Sequence, residues 1–257
     1  MLSIIIPVLN EAETIKKLLT FLSENISAKN EIEIITVDGG SNDGTQQIIK
    51  EFIESINPSA TLRMTLENSE KGRAKQMNKG ATEASGEILY FLHADSFPPK
   101  NFDKYIISEI EKGNPAGCFR MKFDSNHWWL QLAGWFTKFS WRACRGGDQS
   151  QFITKDLFEE IGGFDEKYII YEDNILINEL YERNKFVVIQ QWITTSARLY
   201  KQEGVWKLQY HFWAIYVKRW LGADAEQLYN YYLKNIKLAN STKFSEQKIS
   251  QQVAEKQ

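Results

Sequence analysis

Leu2–Val8 is a short run rich in Ile and Val, interrupted only by Ser3, as expected of a parallel strand covered on both faces. Asn10-Glu11 then offers a cap for a helix reaching about Ser27, with Ile15, Leu18, Leu19 and Leu22 on one face. Residues 31–38 repeat the strand signal, and Gly39-Gly40-Ser41-Asn42-Asp43-Gly44 forms a turn that opens a second helix to about Ile56. A third strand over 61–66 precedes a helix from about Gly72 to Ala84, and a further strand over 87–92 runs into His93-Ala94-Asp95-Ser96. Strands alternating with helices predict a parallel sheet built from βαβ units. Ligand groups of such sheets sit in loops at the carboxyl ends of the strands, where Asp38 and Asp95 both fall.

The pattern changes after Asn101. A helix over 102–112 leads to a strand over 118–123, then to an aromatic segment at 128–141. Gly146-Gly147-Asp148-Gln149 precedes a strand, Gln151–Thr154, and a short helix, Lys155–Ile161, closed by Gly162-Gly163. Residues 173–184 are helical, with Ile175, Leu176 and Leu180 as the apolar side, and 203–238 are mostly helix with a break near Gly222. The last fifteen residues are polar and read as a frayed tail.

Two aromatic groups stand out. Trp128, Trp129, Trp135, Phe136, Phe139 and Trp141 lie close to Lys138, Arg142 and Arg145. Three readings stay open for them: contact with a bilayer surface, a sugar-stacking platform, or packing between the sheet and the C-terminal helices. Trp206, Tyr210, Trp213, Tyr216 and Trp220 recur near helical spacing, which predicts a second apolar face covering the first.

Composition narrows the classes. The chain has 257 residues, 43% hydrophobic and 25% charged, which suits one globular α/β domain with a helical appendage. A formal charge of −2 gives no reason to expect nucleic acid as a partner. Cys118 and Cys144 make no disulfide framework, so a reducing, cytoplasmic compartment is expected. The three dispersed histidines assemble no zinc-ligand spacing. The N-terminus lacks a basic leader, and no run of 18 apolar residues predicts a membrane span.

Acidic residues recur at strand ends and helix starts: Asp38, Asp95, Asp148 and the pair Glu172-Asp173. Any one of them alone reads as a cap or a solvated turn. The strand that ends in His93-Ala94-Asp95 delivers His and Asp at i and i+2, on one side of the chain. A carboxylate there can hold Mg²⁺ or Mn²⁺ and leave positions open for diphosphate oxygens. Lys71, Arg73 and Lys75 fall in the first turns of a helix, where cations oppose the dipole unless an anionic ligand binds.

These residues together resemble a family 2 glycosyltransferase of the GT-A fold. Pro7-Val-Leu-Asn10-Glu11 matches the P-x-x-N-E motif, and Val37-Asp38-Gly-Gly-Ser41-x-Asp43-Gly44-Thr45 matches V-D-[DG]-G-S-x-D-G-T. Gly72-Arg73-Ala74 with Gln76-Met77-Asn78 and Gly80-Ala81 resembles the helix after the third strand. His93-Ala94-Asp95 stands in the place of D-x-D. Gly147-Asp148-Gln149 resembles the acceptor-side loop, and Tyr171-Glu172-Asp173 the pair that supplies the base. The likeness covers residues 1–190 and is nearest to a bacterial subgroup whose acceptors are undefined.

The resemblance implies an α/β, GT-A (nucleotide-diphospho-sugar transferase) fold: a mostly parallel central sheet flanked by helices, with a C-terminal helical extension. The catalytic domain would span 1–195, with a nucleotide-sugar half (1–100) and an acceptor-side half (101–195), and the extension 196–257. The implied activity is metal-dependent, inverting transfer of a sugar, hexosyltransferase-type, from a nucleotide-sugar (UDP-sugar on resemblance) to an acceptor hydroxyl. The acceptor would be lipid-linked or a glycan, with peripheral contact at the inner face of the membrane.

Pro7, Asn10, Glu11, Asp38, Arg73, Asp148, Gln149 and Glu172 would bind substrate. Asp95 with His93 would hold a divalent cation, and Asp173 would act as catalytic base. Two departures matter: Gly39 replaces a second aspartate after strand two, and His93 replaces the first acid of D-x-D. A non-catalytic sugar-nucleotide or membrane-surface binding module, and a sugar nucleotidyltransferase, remain as alternatives. The glycine-rich Arg/Lys loop of the latter is absent after the first strand, and the glycine spacing of a dinucleotide-binding oxidoreductase is broken.

Overall fold

A computed structural model describes residues 1–27, 30–56 and 62–237 of the chain. Thr61, Leu238 and the predicted frayed tail lie outside the described residues. The chain divides into two compact units, Met1–Glu166 with Tyr171–Ser196, and Lys167–Ile170 with Ala197–Gln257.

The first unit is built on an eight-stranded sheet in the order β3-β2-β1-β4-β7-β6-β8-β5. Strands β1 (Leu2–Val8), β2 (Ile32–Asp38), β3 (Leu62–Asn68) and β4 (Ile88–Phe91) pair in parallel. Beyond β4 the sheet turns mixed. β7 (Gln151–Thr154) runs antiparallel to β4 and to β6 (Ala116–Phe123). β6 pairs in parallel with β8 (Val187–Thr195), and β5 (Ser96–Phe97) lies antiparallel to β8. Neither β5 nor β8 was predicted from the sequence.

Alternate side chains of β1 feed two cores, which is why its sequence is apolar but for the buried Ser3. Leu2, Ile4, Ile6 and Val8 join Ile15, Leu18, Leu19 and Leu22 of α1 (Ile15–Asn25), Ile49 of α2 (Thr45–Ser55), and Phe102 and Ile106 of α4 (Phe102–Glu111). Ile5, Ile35 and Val37 join Ala74 and Met77 of α3 (Arg73–Glu83), Leu157 and Phe158 of α6 (Lys155–Ile161), and Leu176 and Leu180 of α7 (Glu172–Glu182). Gly80 sets how closely α3 lies on the sheet, because a Cβ there would stand 2.4 Å from Ile5 Cγ2.

β1 sits between β2 and β4, so the connections leave it in opposite directions and open a crevice at the carboxyl ends. One local expectation needs correction. Helix α1 starts at Ile15 rather than at an Asn10-Glu11 cap, since the Asn10 side chain is engaged elsewhere. Within the aromatic segment, α5 (Trp128–Phe136) buries Leu130 and Gly134, while Trp128, Trp135 and Trp141 are exposed.

The second unit contains α8 (Arg198–Glu203), α9 (Val205–Trp220), α10 (Ala225–Tyr232) and a π-helical turn, Leu233–Lys237. Asp224 and Gln227 form a reciprocal capping box that starts α10. His211 Nδ1 lies 2.9 Å from the Tyr231 hydroxyl, which ties α9 to α10. Leu208, Ile215, Leu228 and Ile236 are buried.

Candidate active site

The loops after β1 and β2 hold each other. Asn10 takes a left-handed backbone (φ 57°); its N–H donates to Ser41 Oγ at 2.8 Å, and its Oδ1 accepts from Asn42 N–H at 2.9 Å. The Glu11 N–H donates to Thr45 Oγ1, and the Ala12 N–H to Asp43 Oδ2. Much of the motif Ser41-x-Asp43-Gly44-Thr45 is therefore a clamp on the loop that carries Pro7, Asn10 and Glu11. The Glu11 carboxylate accepts from Thr14 Oγ1 at 2.7 Å.

Asp38 closes β2 with no exposed surface. Its Oδ2 accepts from Gly40 N–H, Ser41 N–H and Gln46 Nε2, at 2.7–2.9 Å. Burial pushes this carboxyl up, but the hydrogen bonds from Ser41, Gln46 and Gly40 outweigh it and hold Asp38 below the usual range. Asp38 Oδ1 is buried without a hydrogen-bond partner among the described residues. Gln76 of α3, which sequence reasoning placed only within a motif, donates from Nε2 to the carbonyls of Val8 and Val37 and so staples the ends of β1 and β2.

On the other side of the crevice, titratable groups from four stretches of the chain converge. His93, just past β4, has Nδ1 3.8 Å from Asp148 Oδ1 and Nε2 4.0 Å from Asp173 Oδ2. Arg73, the first residue of α3, donates to Glu172 Oε1 at 3.1 Å and stands 3.8 Å from Asp173 Oδ2. Tyr171 precedes the pair in a left-handed backbone (φ 74°), a costly conformation for an aromatic residue, and turns the chain so that α7 begins with both acids in the cleft. Gly147 passes so close that a Cβ would stand 1.9 Å from Asp173 Oδ2. Sequence reasoning did not assign Gly147 a role of its own.

The electrostatics follow from crowding acids in a buried place. Burial, then the neighbouring Glu172 charge, pushes Asp173 up to about 8, against the pull of Arg73. Burial likewise raises Glu172, which is fully enclosed. His93 is driven down to about 3 by burial and by Arg73, so its imidazole is neutral. Burial by surrounding protein also raises Asp148, but 60% of its side chain meets solvent, and water screens that push.

Gln149, expected to bind substrate, is buried: Oε1 accepts from Arg145 and from the Cys118 thiol, while Nε2 donates to the Cys144 carbonyl. Its side chain braces the loop that presents Gly147 and Asp148. Arg145, one of the cations beside the aromatic segment, is the buried centre of that brace, donating also to the carbonyls of Thr137 and Phe139. Pro7, one residue before the end of β1, is partly exposed, and Asp95 lies half-buried in the turn between β4 and β5. Among the described residues, no three His, Cys, Asp or Glu side chains gather to hold a metal ion by themselves.

A family model described as Glycosyl transferase family 2 matches residues 3–165. The chain belongs to glycosyl transferase family 2. Among relatives of this family-2 chain, glycosyltransferase AglE of Haloferax volcanii is 35% identical over 108 residues, 42% of this chain and 34% of the relative. The chain thus spans about a third of that relative's length.

Among solved structures, S. aureus TarS 1–349 in complex with UDP aligns with a TM-score of 0.60 at 19% identity, covering 76% of this chain and 60% of TarS 1–349. The mannosyltransferase PcManGT from Pyrobaculum calidifontis, in complex with GDP-Man and Mn²⁺, aligns with a TM-score of 0.64 at 18% identity. That match covers 90% of this chain and 69% of PcManGT. The likenesses establish the GT-A fold for this family-2 chain.

Proposed function

We propose that this chain is an inverting glycosyltransferase that moves a sugar from a nucleotide-sugar, taken as a UDP-sugar, to an acceptor hydroxyl, with Asp173 as base. The observation that carries this reading is the placement of Asp173: a buried carboxyl with its proton affinity raised, between neutral His93 and the Arg73 guanidinium. A base poised near the working pH is what proton removal from a sugar or lipid-linked hydroxyl needs. Family membership and the UDP and GDP-Man complexes of the structural neighbours support the donor class.

At the other end of the crevice, the unpartnered Asp38 Oδ1 is suited to accept a hydrogen bond from an N–H of the base or a ribose hydroxyl. Pro7, Asn10 and Glu11 would line the same pocket, clamped by Ser41, Asp43 and Thr45. Arg73 would meet the diphosphate while Glu172 holds its guanidinium in place. Asp148, the exposed acid opposite His93, would face the acceptor.

A divalent cation fits this donor set with help from the substrate. Asp95 offers a carboxylate and His93 a neutral nitrogen, and the diphosphate oxygens would supply further ligands. When bound, Mg²⁺ or Mn²⁺ would neutralise charge developing on the departing nucleoside diphosphate. The exposed Trp128, Trp135 and Trp141, with Lys138 over the Trp135 ring at 3.8 Å, support a lipid-linked acceptor approached at a membrane face.

The test is a thermal-shift screen of UDP-, GDP- and dTDP-sugars with and without Mn²⁺, followed by transfer or donor hydrolysis assays. A donor that raises the melting temperature by mass action and turns over supports the reading. Binding without turnover by any donor would instead identify a binding module, and binding of none would remove the donor class.

A further inference from the structure

Helix α9 carries its aromatic side outwards. Trp206, Tyr210, Trp213, Val217 and Trp220 follow one another at intervals of four, three, four and three, a single stripe along the helix. The sequence pattern predicts that this face is covered. Instead the stripe is exposed, from 48% at Trp213 to 85% at Trp220, and Leu221 extends it at 74%. The inward face of α9 uses Leu208 and Ile215. A soluble helix ordinarily turns its polar side to water, whereas this one carries apolar residues on its outward face as well as its inward one.

The identity of the exposed residues selects the occupant. A helix that pairs with a second copy of itself favours Leu, Ile and Val at stripe positions. Here tryptophan and tyrosine dominate, and these rings concentrate where hydrocarbon meets headgroups. Val205–Trp220 contains no Asp or Glu, and although Lys207 pairs with Glu203 at 2.6 Å, Lys218 and Arg219 add positive charge towards its C-terminus, in a chain whose net charge is negative. A local cationic, acid-free segment complements an anionic surface. At 16 residues α9 is about 24 Å long and carries charge. No helix of the described residues is long and apolar enough to cross a membrane, so the stripe suits lying on a bilayer rather than spanning it.

We infer that α9 is a membrane-surface helix whose Trp206-Tyr210-Trp213-Trp220 face beds into the headgroup region of an anionic bilayer. The inference deepens the membrane-face reading of the acceptor and rests on it only for its purpose, since docking needs no turnover. Docking would bring the enzyme to the surface where a lipid-linked hydroxyl is presented.

The experiment is co-sedimentation of the full chain with vesicles of phosphatidylcholine alone and of equimolar phosphatidylcholine and phosphatidylglycerol. Wild type pellets with the anionic vesicles, its tryptophan emission shifts to the blue, and high salt weakens the binding. The Trp213→Ser/Trp220→Ser variant loses roughly tenfold or more of its vesicle partition. Trp220→Ser alone, at the most exposed position, serves as the second variant and loses part of it.

Wild type that stays in the supernatant with both vesicle types would overturn the inference, as would variants that bind as well as wild type. A dimer seen by light scattering and abolished by the double variant would assign the stripe to a second copy instead. Donor-induced thermal shifts measured on the same proteins keep the two readings apart. Lost vesicle binding with the donor shift intact confirms α9, whereas a missing donor shift in wild type counts only against the catalytic reading.

Discussion

Asp173, the proposed base, shows what enclosing a carboxyl among other charges does to it. Its carboxyl is enclosed beside Glu172, and Arg73 offsets part of their mutual repulsion. Replacing it by Asn keeps the shape and removes the titrating group. Asp173→Asn is expected to lower turnover by about 10²–10⁴-fold, with donor affinity nearly unchanged, as read from initial rates and donor titrations. Full activity in this variant would move the base elsewhere, Asp148 first.

Gly147→Ala tests the same site from the backbone side. The new methyl would fall 1.9 Å from Asp173 Oδ2 and force that carboxylate aside. Misplacement by about an ångström costs on the order of 10²-fold in rate, so kcat should drop while the donor-induced thermal shift persists. The sequence made the acids legible, because strand ends and helix starts are recognisable positions. Spacing alone did not group the acids, which only the family resemblance did, and it did not reveal that Gly147 leaves room for one of them, because that depends on stretches far apart in the chain. Gln149 adds a related point: a polar residue in a recognised motif also braces the loop that carries the motif, a contact that spacing does not announce.

Elements were legible where local pattern and burial agree. β1 and the pair β7 and α6 follow from apolar spacing and glycine stops, and their observed limits lie close to those expected, while the apolar face of α1 was legible but its start was not. β8 escaped notice because Gln190 and Gln191 interrupt its apolar run and face solvent, while the register of its partner β6 slips between Phe119 and Arg120. Its pairing is long-range, and Arg120 stacks on Trp192 at 3.8 Å only once the strands are together.

α9 defeated the pattern in another way. Helical spacing of aromatics predicts an apolar stripe but not whether protein covers it. Between elements, Gly80 is the sharpest constraint. Gly80→Ala brings a Cβ to 2.4 Å from Ile5 Cγ2, so α3 must lift from β1 and β2. Overpacking of this kind costs about 1–3 kcal/mol, to be read as a lower midpoint in urea unfolding. Because α3 also carries Arg73 and Gln76, the same variant should weaken donor binding.

At the scale of the whole molecule, the site writes a signature into the pH dependence of stability. His93 has a folded pKa of about 3 against an ordinary value of 6.5, so the native state resists its protonation. Its contribution is complete above pH 6.5 and is lost as pH falls below that. Asp173 acts in the opposite sense: its folded pKa of about 8 lies above the ordinary 3.8. The native state therefore holds a proton that the unfolded chain has released, and stability declines as pH rises between those limits.

Below pH 6.5 the two slopes oppose each other, and between 6.5 and 8 only the carboxyl pair remains. Wild type should lose stability across that upper window, by at most about 1.4 kcal/mol per pH unit for one proton. Asp173→Asn should be flatter over the same window and melt higher than wild type at pH 8, while being far less active. Thermal melts at matched ionic strength check both statements. A wild-type profile that is level from pH 6.5 to 8 would mean that the carboxyl is ionised without cost, and would remove the reason for treating it as a poised base.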